Sequence, residues 1–205
     1  MNEACVIGNG PSRLNFNLEE IHALMTTYGC NALYRDFMPD YLISMDYSMV
    51  DEIIQKRIHY QTKFYTQHAN KIDARQHKGE PIHFISGQRE TLDSGNTALR
   101  IAMKNAHDVV YVIGFDYAMN PSTLPNVYAG TPNYAKSHVW PAASMRDTQW
   151  GQRLRRILKD FPNQKIVRVN GTKPLGITLD NYSEISIDQF KEILHARIFV
   201  QTDQE

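Results

Sequence analysis

Cys5-Val6-Ile7-Gly8-Asn9-Gly10-Pro11-Ser12 is the stretch on which the fold turns. A short apolar run closed by a glycine turn suits a central strand of a parallel sheet, buried on both faces. The glycines let a backbone come close to a ligand, and Asn9 and Ser12 add side-chain donors and acceptors. The turn is not a complete dinucleotide fingerprint, and it lacks the G-K-[ST] of a P-loop. An ordinary tight turn after a strand remains open at this point.

Working outward, the same grammar repeats. Leu18, Ile21, Leu24 and Met25 recur at helical spacing behind Asn17, a candidate cap, and Tyr28-Gly29 reads as the end of that helix. Cys30–Leu33 and Tyr41–Met45 read as strands, Asp51–Ile58 as a helix, and Lys63–Tyr65 and Ile82–Ile85 as further strands. Asp93 or Ser94 precedes a helical run to Asn105. Val109–Ile113 is the strongest strand signal, β-branched and aromatic throughout, and ends in Gly114-Phe115-Asp116-Tyr117. A helix over 147–160, a last strand at Lys165–Val169 and a final helix from Ile187 to about Ala196 follow. Strands alternating with helices predict an α/β, Rossmann-like, mainly parallel sheet with helices on both faces. Residues 118–143 carry four prolines and no clear period, which predicts a lid-like loop. The reading is of one nucleotide-binding domain over 1–205.

Bulk properties narrow the function. Lys+Arg and Asp+Glu both number 22, and a neutral chain gives no strong nucleic-acid signal. The basic run Arg153, Arg155, Arg156 reads first as a solvated helix face. Two cysteines are too few for a disulfide scaffold, and Cys5 sits in an apolar run where a buried thiol is expected. No stretch reaches the ~20 apolar residues of a transmembrane helix, and no basic leader precedes the first strand. The expectation is a cytoplasmic protein, with self-association left open. The eight histidines form neither an H-E-x-x-H nor, with cysteine, a zinc pattern, so no metal is expected. His138, inside the long loop, could act as a general base near neutral pH.

In open parallel sheets, ligands bind at the carboxyl ends of the strands. The Gly8–Ser12 turn, Asn31, Asp46 and Gly114–Tyr117 all fall at such ends. Asp93-Ser94-Gly95-Asn96-Thr97 adds a small-residue helix start, which reads either as a plain cap or as donors facing an anion.

The ordered set V-I-G-N-G-P-S, C-N-x-x-Y, S-G-N-T and V-Y-V-I-G-F-D-Y resembles the bacterial sialyltransferases of glycosyltransferase family 42. It also resembles the broader MptE-like group, which includes 6-hydroxymethylpterin diphosphokinases; Pro39–Asp46, P-D-Y-L-I-S-M-D, fits that group well. The first resemblance implies a metal-independent glycosyltransferase with no cofactor, using a CMP-sialic-acid-like donor and a glycan or other hydroxyl acceptor. By position, Gly8, Asn9, Gly10 and Ser12 would hold the nucleotide phosphate or ribose. Asn31 would contact nucleotide or sugar, and Ser94 and Gly95 would lie beside the sugar carboxylate. Gly114 and Asp116 match the strand end before the lid. Tyr117 and Tyr128 would steady the leaving phosphate, and His138 would be the base. The chain departs from that family at the base: His138 stands nine residues before Asp147, and an alignment anchored on Ser137-His138 puts Ala142 at the base position. The alternatives are a Mg²⁺-dependent pterin-type pyrophosphokinase using Asp46 and Asp116, and an inactive nucleotide- or glycan-binding protein of the same fold.

Overall fold

A computed structural model describes residues 2–67, 77, 79–86, 93–116, 126–134, 149–170 and 174–202. The described residues form eight strands in one sheet: β1 (Glu3–Ile7), β2 (Thr26–Cys30), β3 (Tyr41–Ser44), β4 (Lys63–Gln67), β5 (Ile82–Ile85), β6 (Val109–Ile113), β7 (Lys165–Asn170) and β8 (Tyr182–Ser186). Their order across the sheet is β5-β4-β3-β2-β1-β6-β7-β8, and every pairing is parallel. The chain therefore runs outward from β1 to β5, returns to the middle, and runs outward the other way. The reversal falls between β1 and β6, and a crevice opens at such a switch point.

Among the described residues five α-helices cover the sheet: α1 (Leu18–Leu24), α2 (Tyr47–Gln55), α3 (Ser94–Lys104), α4 (Gln149–Asp160) and α5 (Ile187–Thr202). Alternation along β1 separates the faces. Ala4 and Val6 join Leu99, Ala102, Leu154 and Ile157 of α3 and α4 on one side. Cys5 and Ile7 join Ile21 of α1 and Phe190 and Leu194 of α5 on the other. On that second side α2 adds Val50 and Ile53 over Leu42 and Phe64. Each fully buried aliphatic side chain of this kind contributes roughly 1.5–3 kcal/mol. The structure is the mainly parallel, doubly covered sheet expected from the alternating pattern. No helix among the described residues is long and apolar enough to cross a membrane.

Three local expectations change. Tyr28-Gly29 does not end α1; it lies within β2, and α1 stops at Leu24. A Cβ on Gly29 would run into the Leu33 side chain and lie 2.9 Å from Pro39 Cγ, so close packing, not a turn, requires glycine there. Asn31 is not in a strand. It opens a 3₁₀ helix over Asn31–Arg35 with a left-handed backbone, φ 52°, a conformation that asparagine tolerates better than most residues. Lys165–Asn170 is not the last strand, because β8 follows it at the sheet edge.

Candidate active site

The two turns that leave β1 and β6 are built against each other. Gly8 N donates to Ile113 O at 2.8 Å and Gly10 N to Gly114 O at 2.9 Å. A Cβ on Gly8 or Gly10 would lie 2.5 Å from the Gly114 carbonyl oxygen, and one on Gly114 would lie 2.5 Å from that of Gly8. Gly114 also has φ +68°, which any side chain would strain. The same virtual Cβ on Gly8 lies 2.7 Å from the Phe115 ring, and one on Gly95 lies 3.2 Å from it. The ring thus lies against both the Gly8 turn and the first turn of α3.

Asp116 completes the junction. Its Oδ2 accepts from Ser12 N at 2.9 Å and its Oδ1 accepts a short hydrogen bond from Ser12 Oγ. Gly10 must be glycine here as well, since a Cβ would come 2.6 Å from Asp116 Oδ2. The amides of residues 8, 10 and 12 are all engaged inside the protein, and Pro11 has none to offer.

On the β2 side, Asn9 Nδ2 donates to Cys30 O at 3.1 Å. Its Oδ1 is buried with no hydrogen-bond partner among the described residues. Asn31 Nδ2 donates to Asp46 Oδ2 at 2.9 Å, and Asn31 Oδ1 accepts from the buried Ser44 Oγ at 2.9 Å. Ser94 is buried at the start of α3, and its Oγ accepts from Met45 N at 3.0 Å. Asp93, not Ser94, is the cap: its Oδ1 accepts from Asn96 N at 2.9 Å, while its Oδ2 takes Arg153 Nη1 at 2.9 Å. One member of the basic run on α4 is therefore a tie between helices. The carboxyl edge of β1, β2, β3 and β6 and the first turn of α3 carry Gly8, Asn9, Gly10, Ser12, Asn31, Ser94, Gly95, Gly114 and Asp116.

Within the expected lid only 126–134 is described, and that piece is tied down. Val127 N donates to Asn9 O at 2.9 Å. The Tyr128 hydroxyl donates to Asp36 Oδ2 at 2.7 Å and accepts from Arg13 Nη2 at 2.7 Å, while Arg13 Nη2 reaches Asp36 Oδ2 at 2.6 Å. Arg13 itself is only 3% exposed. Burial, and next the Asp36 carboxylate, push the Tyr128 phenol above its usual range. Its hydroxyl already gives and takes a hydrogen bond.

A second tie lies on α2. Glu52 accepts from Arg35, Lys56, Asn133 Nδ2 (2.6 Å) and, in a short bond, Tyr34. Arg35 continues to Thr131 Oγ1 at 2.8 Å. Burial alone would raise the Glu52 carboxyl, but the hydrogen bonds from Arg35, Tyr34 and Lys56 outweigh it and bring it to about 2. Burial and the bond to Glu52 push the Tyr34 phenol up to about 12.

Tyr117 and His138 lie outside the described residues. Arg13 and Asp36 are the shaping residues that sequence reasoning passed over; Phe115 was named only within a strand end, and Asp93 is one of the two caps expected for α3. A lone arginine directly after a strand turn was the one visible signal, and its carboxylate partner is 23 positions away.

No protein-family profile matches the chain, and no curated protein matches it. Among solved structures, the MAf glycosyltransferase from Magnetospirillum magneticum AMB-1 is similar, with a TM-score of 0.53 and 14% identity. The match covers 97% of this chain and 37% of that one. The chain thus spans well under half the length of the protein it resembles. At this identity the likeness is one of fold: a Rossmann-like α/β sheet of the kind found within a glycosyltransferase.

Proposed function

We propose that the chain is a glycosyltransferase domain that uses a nucleotide-activated sugar, with a CMP-sialic-acid-like donor and a hydroxyl acceptor. The observation that carries this reading is the convergence at the switch point. The β1 and β6 turns, Asn31 and Ser94 share one carboxyl edge, where open parallel sheets receive nucleotides, and a glycosyltransferase shares the fold.

In this reading His138 takes the proton from the acceptor hydroxyl as that oxygen attacks the anomeric carbon. The bond to the nucleotide phosphate breaks, and Tyr117 donates to the departing oxygen, where a fixed donor is most effective. Tyr128 has a different part. With its hydroxyl held by Arg13 and Asp36, it anchors 126–134 beside Asn9, so the charge on the leaving group falls to Tyr117. The transfer is read as metal-independent.

The test is donor hydrolysis or transfer with CMP-sialic acid, comparing the unmodified chain with His138→Ala. The reading expects turnover that survives EDTA and falls about 100-fold or more in the variant. Equal rates in the two would remove His138 from the mechanism. Turnover of ATP that EDTA abolishes would support the pyrophosphokinase alternative, for which the exposed Asp46 carboxylate at the end of β3 is the one favourable observation. Nucleotide binding without turnover on either donor would leave the inactive binding protein.

A further inference from the structure

Arg168 is an arginine inside the sheet packing, its side chain 1% exposed. It sits on β7 with Val112 of β6 on one side and Glu184 of β8 on the other. Ile166, two positions before it, packs in the core under α3 and α4, so Arg168 shares that face of the sheet. Stability alone does not account for a charge there, because apolar side chains of similar volume commonly replace a buried ion pair without loss. What the guanidinium supplies is a fixed fork. Its Nε donates to Phe115 O at 3.0 Å and its Nη1 to Glu184 Oε2 at 2.9 Å. Glu184 is held in turn: its Oε1 accepts from Leu175 N and from the Tyr182 hydroxyl, both at 2.8 Å. Phe115 stands between Gly114 and Asp116 in the turn that leaves β6, and its ring lies against Gly8 and Gly95. A donor on β7 thus fixes the backbone of the residue whose ring meets two other segments of the candidate site.

We propose that Arg168 is a positioning residue for the nucleotide site: anchored by Glu184, it holds the Phe115 carbonyl and so sets the Gly114–Asp116 turn against the Gly8 turn and the start of α3. It acts through that turn and not on the substrate. The assignment rests on the nucleotide reading above and extends it to β7 and β8, which lie beyond the switch point and carry none of the residues expected at the site. Lysine is no substitute in this role. An ammonium is a point charge on a flexible stem, whereas the planar guanidinium serves two acceptors in fixed directions.

The experiment is calorimetric titration of the full chain with CMP, repeated on Arg168→Lys and on Arg100→Lys at a temperature where circular dichroism shows each to be folded. Arg100 is the control, a second buried arginine paired with a carboxylate, Asp160 Oδ2 at 2.7 Å, between α3 and α4. Both variants should melt at a lower temperature. Arg168→Lys should bind CMP about ten-fold or more weakly, while Arg100→Lys should stay within about two-fold of the unmodified chain. Where Arg168→Lys does not fold, the Arg168 Nε–H resonance of the unmodified chain decides: it should shift on saturation with CMP, because its acceptor belongs to the turn at the site. Equal CMP affinity in folded Arg168→Lys, an equal loss in Arg100→Lys, or an Nε–H resonance that CMP leaves in place would overturn the positioning role. The nucleotide reading would survive any of these. If the unmodified chain did not bind CMP at all, that reading would fall and take the assignment with it.

Discussion

Gly8 and Gly114 touch backbone to backbone: a Cβ on either residue would lie 2.5 Å from the carbonyl oxygen of the other. The opposing atoms are main chain and cannot swing aside. Gly114→Ala also imposes a left-handed φ on a residue with a side chain. Gly8→Ala and Gly114→Ala should each cost at least about 2 kcal/mol in urea unfolding. Gly176 is the control. It has φ +62° but nothing among the described residues within 4 Å of its virtual Cβ, so Gly176→Ala should cost only about 1 kcal/mol.

The Arg13–Asp36–Tyr128 tie separates two kinds of loss. Tyr128→Phe removes one hydroxyl and leaves the ion pair in place, so it should cost about 1 kcal/mol. Asp36→Ala leaves a guanidinium that is 3% exposed without its carboxylate. That change should cost more, about 2–3 kcal/mol, below the value for a wholly buried pair because Asp36 is itself half in solvent. The order of the two costs, read from chemical denaturation, checks the geometry.

Glu52 gives the fold an acid-sensitive joint. Its carboxyl titrates near 2 when folded, against an ordinary 4.5. A depressed folded value means the unfolded chain binds the proton more readily, so the contribution is complete above about 4.5 and fades as pH falls toward 2. Stability measured from pH 6 down to pH 2.5 should decline through that window. Glu52→Gln should flatten that part of the decline while lowering stability at pH 6.

Both thiols are closed to reagents in the native state. Cys5 and Cys30 are buried. Burial pushes the Cys30 thiol up to about 12, and it pushes Cys5 up as well. Since the thiolate is the reactive form, neither should react with a disulfide reagent at pH 8 until the chain is unfolded. Both should then react within minutes.

The doubly wound sheet was legible because its central strands are short apolar runs closed by glycine or aspartate, a pattern that buried parallel strands require. β2 was hidden: Thr26-Thr27-Tyr28-Gly29-Cys30 follows a helix directly, and its glycine mimics a stop. Only the position of Leu33 and Pro39 explains that glycine. β8 was hidden too, because Tyr182–Ser186 is polar and lies at the edge. The apolar reading of β7 could not foresee that Arg168, 1% exposed, is paired inside with Glu184 of β8.

At the site, the order of the turns along the sequence was legible and their mutual contact was not. The glycines of the first turn were read as room for a ligand. In the structure Gly8 and Gly10 make room for Gly114, Phe115 and Asp116. Such long-range pairings, like that of Arg13 with Asp36, leave no periodic mark in a single sequence.

The most direct measurement is a thermal-shift series on the intact chain with CMP, CDP, UDP, GDP and ATP, each with and without Mg²⁺. A ligand that binds only the folded state raises the melting temperature, by about 2.7 kcal/mol of stabilisation at a concentration 100 times its Kd. The glycosyltransferase reading predicts a rise with CMP that is the same in EDTA. A rise confined to ATP with Mg²⁺, or none with any nucleotide, would contradict it.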